Sequence, residues 1–474
     1  MGNNIRLILK NGMYTLSSNL ISFVVNALIV LIIPKLIGVS EYGYFQLYVL
    51  LATYALYFHF GWCDGIYLRY VGKDYKELDK KLLSSQFKGL ALLTCIVSIL
   101  LLIFIHFFVF DSEKIWIYSM ATIVILFVTP KIFTSVVMQM TNNLKHYSEI
   151  VLIEKIVYSI VLSIMLLAGI RDFRLLILSD VLGKIAALFL GMHFCKDIIF
   201  TKIDKNSFRE YFKESLINIK VGLFLLISNI ASILITGIVQ LSVESKWSIA
   251  TFSKVSLTFN MSKMLLVVIT ALSIVLVPML KHLDKNQLSY MYKNIRSLLM
   301  FVLGMLLLFY YPLKIVLSYW LPEYSDSIKY MALLFPMCLF ESKTSLLLNT
   351  YLKAMRGERI LCLVNVLTVL LSGFTAYITV FIFANLTLTI VAIPYLLMFR
   401  CLILECYIGK KLNLRLMKTA FFEVILATSF IYFNWNIDSL IATLLYLITY
   451  LLYLFFVRKE LMESVKTIRN RWNL

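Results

Sequence analysis

GLALLTCIVSILLLIFIHFFVF, residues 89–110, runs for 22 positions without an Asp, Glu, Lys or Arg. Its apolar side chains are continuous, whereas a barrel strand would alternate them, and its length matches the roughly 20 residues a helix needs to cross ~30 Å of hydrocarbon. Runs of the same kind recur at 12–33, 44–62, 115–138, 150–169, 175–195, 216–241, 255–280, 297–319, 328–349, 360–384, 386–408, 418–434 and 437–457. The expectation is an all-α polytopic membrane protein with about 14 transmembrane helices.

Composition agrees. Of the 474 residues, 61% are hydrophobic and 15% charged, and the mean hydropathy is +0.87. A soluble domain of this size needs a polar skin that this chain lacks, so its outer surface must face lipid. The net charge of +19 would suggest nucleic acid on a soluble protein. Here the basic residues sit in short loops between apolar runs, so a nucleic-acid partner is not expected. With the N-terminus inside, 30 of the 45 Lys and Arg fall in inside segments and 7 in outside ones. That bias predicts that both termini face the cytoplasm. The first apolar run is too long for a cleavable signal and lacks a small-residue cleavage site. Cys63, Cys95, Cys195, Cys338, Cys362, Cys401 and Cys406 form no CxxC pair and are odd in number. They read as small apolar residues.

Two local patterns stand out. "KDYKELDKKLLSSQFK" sets Leu78, Leu82 and Leu83 on one helical face among lysines; it reads equally as a helix on the anionic leaflet or as a charged connector. "SNLIS" at 18–22 recurs as "SNIAS" at 228–232. The offset of six spans predicts two lobes in parallel orientation.

Charges in hydrocarbon cost about 3 kcal/mol each on insertion scales, so they must snorkel, pair or face water. Lys220, Glu154 and Lys155 lie near span ends and read as snorkelling residues. Lys131 follows Pro130, whose kink would open a polar notch. Asp180 and Lys184 share a face at i, i+4, equally suited to an ion pair or a substrate-facing pair. Lys263 has no acid at i±3 or i±4; Glu341 and Lys343 lie two apart on different faces; Arg400 precedes Glu405 by five. A water-filled cavity walled by Lys184, Lys263, Arg400, Lys131 and Lys343 would suit a diphosphate, because Lys and Arg hold phosphate oxygens through charge-assisted hydrogen bonds. Asp180, Glu341 and Glu405 are the candidate carriers of a coupling ion. Asn11, Asn19, Ser22 and Asn26 could line the cavity, although hydrogen bonding between helices is the commoner role of such residues. The five histidines show no metal spacing. No GxxxxGK[ST] or GxSxG run is present, so no ATPase, no nucleophile and no cofactor is expected.

The opening "NGMYTLSSNLISFVVNALIVLIIPKLIGVSEYGYFQLYVLL" resembles that of Wzx-type O-antigen flippases, in the polysaccharide branch of the MOP exporter superfamily, through Pro34, Leu36, Gly38, Glu41, Tyr42 and Gly43. Gly61, Gly65 and Arg69 in "FGWCDGIYLRYVGK" resemble the next element. Lys263 and Pro278 in "MSKMLLVVITALSIVLVPML" resemble helix 8, and "WLPEYSDSIKYMALLFP" with "NTYLKAMRGERILCLVNV" resemble the stretch from helix 9 to helix 11. The likeness spans about residues 10–410. It implies two six-helix lobes in a V around a central cavity (1–205 and 206–410), with two extra helices and a tail in 411–474. It further implies a transporter moving undecaprenyl-diphosphate-linked oligosaccharide by alternating access, for O-antigen, lipopolysaccharide or another surface polysaccharide, among membrane lipids and beside a polysaccharide polymerase. Helix 1 lacks the arginines of the related peptidoglycan-precursor flippases. Two other classes compete. A glycan polymerase or ligase would need a sizeable outside loop, and the outside loops are short. A drug or small-cation exporter would need an acidic cavity.

Overall fold

The structure, a computed structural model, describes residues 2–202, 208–280, 285–437 and 439–472; of these, the side chains of 2–13, 15–16, 208, 265–280, 285–286 and 464–472 are left undescribed. The side chains of Asn11 and Pro278 therefore lie outside what is described. Among the described residues, every regular element is a helix.

The first elements are α1 (Gly2–Ile37), α2 (Val39–Ala55), α3 (Trp62–Tyr70), α4 (Lys80–Phe108), α5 (Ser112–Met140), α6 (Leu144–Leu167), α7 (Phe173–Phe194), the short α8 (Lys196–Ile199) and α9 (Phe208–Lys246). Carboxylates start three of them by accepting from otherwise orphaned N–H groups: Asp79 from Leu82 N, Asp111 from Glu113 N and Lys114 N, and Asp172 from Arg174 N. The chain continues with α10 (Ile249–Leu280), α11 (Lys285–Leu307), α12 (Tyr310–Trp320), α13 (Ser325–Ile328), α14 (Met331–Leu334), α15 (Met337–Ser342), a π-helical segment Lys343–Leu348, α16 (Asn349–Ala354), α17 (Glu358–Ala376) prolonged by a π segment Tyr377–Ile382, α18 (Leu386–Leu412), α19 (Met417–Asn436) and α20 (Leu440–Trp472).

The fourteen expected spans fall mainly on helix, although the second, 44–62, runs beyond the end of α2 at Ala55 into the turn 56–61. Ten described helices are long and apolar enough to cross a membrane, or eleven with the α11–α12 pair counted as one bent span. That pair covers the expected ninth span, 297–319, and breaks it by 44° at Leu308–Phe309. Pro312, which has no N–H to give, is tolerated in the first turn of the new helix.

Helix α4 shows what the solvent is. Leu92, Ile96, Ile99, Ile103 and Phe107 form an exposed stripe, while Thr94 and Ser98 are buried on the other side. Water would reverse that preference; lipid does not.

The chain divides into two compact units, Met1–Ile230 and Ala231–Leu474, with the boundary inside α9. In unit 1, α5 packs on α2, α3, α4 and α7, and α6 packs on α1 and α7. Gly38 takes φ 81° between α1 and α2, and three residues on Glu41 accepts from Phe173 N at 2.9 Å. The motif residue thus caps the positive end of α7. Gly61 and Gly65 let α3 touch α9: a Cβ on Gly65 would stand 1.8 Å from the Asn218 carbonyl oxygen, and one on Gly222 2.0 Å from that of Gly61. Arg69 secures the crossing with bonds to Glu214 (2.7 Å) and Asn218 (2.6 Å).

Leu78 and Leu83 are buried among Phe87, Phe133 and Ile198 in the unit 1 core, so the amphipathic pattern serves the protein and the leaflet reading is corrected. Beside them Asp197 accepts from Lys80 and Tyr75, each at 2.6 Å. Burial pushes the Asp197 carboxyl up, and these two bonds outweigh it and hold it below its ordinary value of 3.8. A depressed carboxylate stabilises at higher pH and loses that contribution as pH falls through its folded value. Proteolysis of the 195–202 turn is therefore expected to stay flat from pH 7 down to pH 3.8 and to rise only below it. A rise above that pH would contradict the tether.

In unit 2 the tenth span is the core. Met331–Ala354 is 89% buried over its apolar window, with α10 and α18 against it. α19 packs on α20, and α20 on α11.

Candidate functional site

The buried and partly buried charges fall into three groups. The first lies in unit 2 on α9, α10, α15 and α18. Arg400 is 1% exposed. It donates through Nη2 to Glu341 (2.5 Å) and through Nη1 to Ser232 Oγ (2.8 Å), the last residue of the "SNIAS" repeat. Its Nε–H has no partner among the described residues. Lys263 sets its ammonium over the Phe259 ring at 4.3 Å, with Glu341 and Arg400 as its charged neighbours. No carboxylate reaches ion-pair distance of Lys263 among the described residues. The Glu341 side chain is 27% open. Two cations therefore share one carboxylate.

The second group is balanced. Arg296 on α11 meets Glu405 (2.5 Å) and Glu423 (2.6 Å), and Lys343 meets the same two carboxylates at 2.5 Å each. All four side chains are at most 2% exposed. Lys343 opens the π-helical segment, the kind of irregularity that re-aims side chains within a span. The structure thus corrects two expectations. Lys343, expected as a cavity cation, is enclosed between Glu405 and Glu423, and Glu405, expected as an ion carrier, is enclosed between Arg296 and Lys343.

The third group lies in unit 1. Lys131 on α5 pairs with Glu154 on α6 at 2.7 Å. Asp180 and Lys184 form their expected i, i+4 pair on α7. Tyr48 Oη of α2 donates to Asp180 at 2.7 Å. Lys155 has these four charges as its electrostatic neighbours, and no carboxylate reaches ion-pair distance of it among the described residues. Its side chain is not the snorkelling one expected. Gly183 allows the packing, since a Cβ there would stand 2.5 Å from the Glu154 carbonyl oxygen. Three cations share two carboxylates.

Of the polar residues on α1, Ser22 donates to its own helix at Ser18 O (2.8 Å), and Asn26 is exposed. Sequence reasoning missed Arg296, Glu423 and the role of Lys155. The available signal was at Glu423, which stands alone among apolar neighbours on its own helix, whereas Arg296 follows Lys293 and Asn294 and gave none. A cleft of about 260 Å³ in unit 2, lined by Leu333, Tyr395, Ile431, Tyr432 and Trp435 among others, contains none of these charges.

No protein-family model and no curated protein matches the sequence. Solved structures do match. The lipid II flippase MurJ in an inward closed conformation has a TM-score of 0.64 at 14% identity, over 95% of this chain and 99% of that one. An inward-facing multidrug-resistance MATE family transporter of the MOP superfamily gives 0.60 at 12% identity, over 85% and 94%. A MOP superfamily transporter from Pyrococcus furiosus, described by a reversed polarity of its binding pocket, gives 0.56 at 13%, over 86% and 95%. At such identities the likeness speaks for the fold. The chain is a multi-pass, all-α membrane protein with the fold of MOP superfamily transporters.

Proposed function

We propose that the chain is a flippase that carries undecaprenyl-diphosphate-linked oligosaccharide repeat units from the cytoplasmic to the outer leaflet of a bacterial inner membrane, for O-antigen or another surface polysaccharide. Both termini face the cytoplasm, as the basic loops require. It works by alternating access and performs no bond chemistry. The supporting observation is the charge sum: two of the three groups carry one cation more than their carboxylates neutralise, through Lys263 and Lys155. Lys155 and Lys263 are each partly buried; holding an uncompensated ammonium away from full hydration is costly, and a di-anionic head group arriving at the site offsets that cost. The prenyl chain stays in the bilayer while the diphosphate and its sugars cross. Likeness in fold to a lipid II flippase supports a lipid-linked substrate. Cation excess argues against a small-cation exporter, despite the likeness to MATE transporters.

Lys263 and Arg400 within unit 2, and Lys155, Lys131 and Lys184 within unit 1, are the proposed anion-binding cations of their respective units. Asp180 and Glu341 remain as carriers of a coupling ion. Lys343 and Glu405 are assigned to holding unit 2 together.

Lys155 and Lys263 can be neutralised without stranding a carboxylate, so their loss reads function and leaves folding intact. In a strain lacking this chain, the Lys155→Met/Lys263→Met protein is expected to reach the membrane in normal amount. It should restore surface polysaccharide to less than about a tenth of the wild-type level, the loss of one charge-assisted contact or more. Lys263→Arg should retain most of it. Full restoration by the double variant would refute the proposal.

A further inference from the structure

Glu341 needs an explanation that the anion-binding cations alone do not supply. A site built to receive a diphosphate would do best with its guanidinium free, yet the Arg400 guanidinium is already occupied. Glu341 takes one Nη2 bond, Ser232 takes an Nη1 bond, and the Nε–H is left over. The two partners of this pair are unequally placed: Arg400 is shut away at 1%, while the Glu341 side chain is 27% open. Arg400 is held by α9 as well as by Glu341, whereas Glu341 is held through Arg400 and is the one with room to leave. Lys263 stands beside both with no carboxylate of its own.

We infer that Glu341 is a built-in counter-anion: its carboxylate sits where one phosphate oxygen of the substrate binds, and substrate entry and release exchange the two anions on Arg400. This rests on the reading of the site given above and adds the part that makes it turn over. An anion seat that is buried, doubly cationic and unopposed would hold a diphosphate too tightly to release it, because tight binding in one state traps a transporter there. With Glu341 as competitor, the incoming diphosphate takes Arg400 and its idle Nε–H, and the displaced carboxylate turns to Lys263. When the diphosphate leaves, Glu341 returns and neither the guanidinium nor the carboxylate is stranded. Each half of the exchange swaps one charge-assisted contact for another, which keeps the free-energy difference between loaded and empty states small. Glu341 is on this account a positioning residue for release, and its removal separates affinity from turnover.

The test uses the full chain in nanodiscs, with inorganic pyrophosphate as the titrant, and flipping of a lipid-linked oligosaccharide in proteoliposomes. Glu341→Gln is expected to bind pyrophosphate about tenfold more tightly than wild type, the worth of one charge-assisted hydrogen bond returned to the ligand, and yet to flip more slowly. Glu341→Gln/Lys263→Met keeps the wild-type charge sum of the group, which guards against loss of folding. If it too binds more tightly than wild type, the gain belongs to the emptied seat on Arg400. Equal binding would assign the effect to net charge and overturn the inference. Unchanged or weaker binding by Glu341→Gln, with weaker binding by Lys263→Met, would overturn the inference and leave the anion site standing. If Lys263→Met also binds as wild type does, the site reading fails along with it.

Discussion

Glu423→Gln is expected to destabilise unit 2 by about 3–5 kcal/mol, the cost of leaving a buried cation without its partner. Arg296 and Lys343 together meet Glu405 and Glu423 with nothing left over, and all four are sealed from solvent. Neutralising Glu423 leaves two cations on one carboxylate in a place where neither can reach water. The consequence is specific in space. Glu423 is the contribution of α19 to the network, so the α19–α20 pair should loosen first, seen as early hydrogen exchange in 417–472 and a lowered melting temperature in detergent. Restoring the balance with Lys343→Met in the same protein should recover most of the loss, since Arg296 and Glu405 then remain as a matched pair. A Glu423→Gln protein that melts with wild type, or a second substitution that adds to the damage, would show that the four residues are not one unit. The same logic makes the C-terminal helices part of the body of unit 2: a chain ended before α19 would strand Arg296 and Lys343 as surely as the substitution does.

The second large effect is expected at the α3–α9 crossing. Gly222→Val must move two backbones apart, because the atoms a Cβ would meet are the Gly61 carbonyl oxygen at 2.0 Å and the Gly65 N at 2.5 Å. Neither is the end of a flexible side chain. Overpacking of this kind costs about 1–3 kcal/mol when neighbours can yield, and here they are main chain, so the upper end or more is expected. Separation also pulls Arg69 from Glu214 and Asn218, and Asn218 from Gln86, which in turn holds the Trp62 indole. Gly222→Ala should show the same effect at smaller size, and Trp62 fluorescence should report the opening. An unchanged melting temperature for Gly222→Val would mean the helices are not packed as closely as described. Gly61 and Gly65 were singled out in the sequence only through the family resemblance, and their part in helix packing needed the fold.

What the sequence could reveal followed from what lipid imposes. A span must be long, apolar and continuous, so the fourteen runs mark helices whatever their neighbours do. The α11–α12 bend escaped because it falls within an apolar run, where composition is silent, although Pro312 was a clue. The leucines at 78, 82 and 83 show the limit of amphipathic pattern: a stripe facing lipid and a stripe facing a core look alike. Charge pairing was less legible still. Asp180–Lys184 lies on one helix and could be read from its spacing. Arg400–Glu341, Lys131–Glu154 and the four-residue network depend on which helices adjoin and how each is rotated, and neither is written in local spacing. Arg296 was counted among loop cations because Lys285 and Lys293 precede it, yet the first turns of α11 carry it inside. Lys155 sits near the end of its span, which invited the snorkelling reading. Only with α5 and α7 in place does it become the third cation around two carboxylates.

The central claim is that surplus buried positive charge exists to pass a lipid-linked anion. It is tested most directly by following a fluorescent undecaprenyl-diphosphate oligosaccharide in sealed vesicles containing the purified chain. Transfer between leaflets is expected with the wild-type protein, retained with Lys263→Arg and lost with Lys155→Met/Lys263→Met at equal protein content. Transfer at the wild-type rate by the double variant, or a wild-type protein that moves small organic cations and leaves the lipid-linked glycan in place, would contradict it.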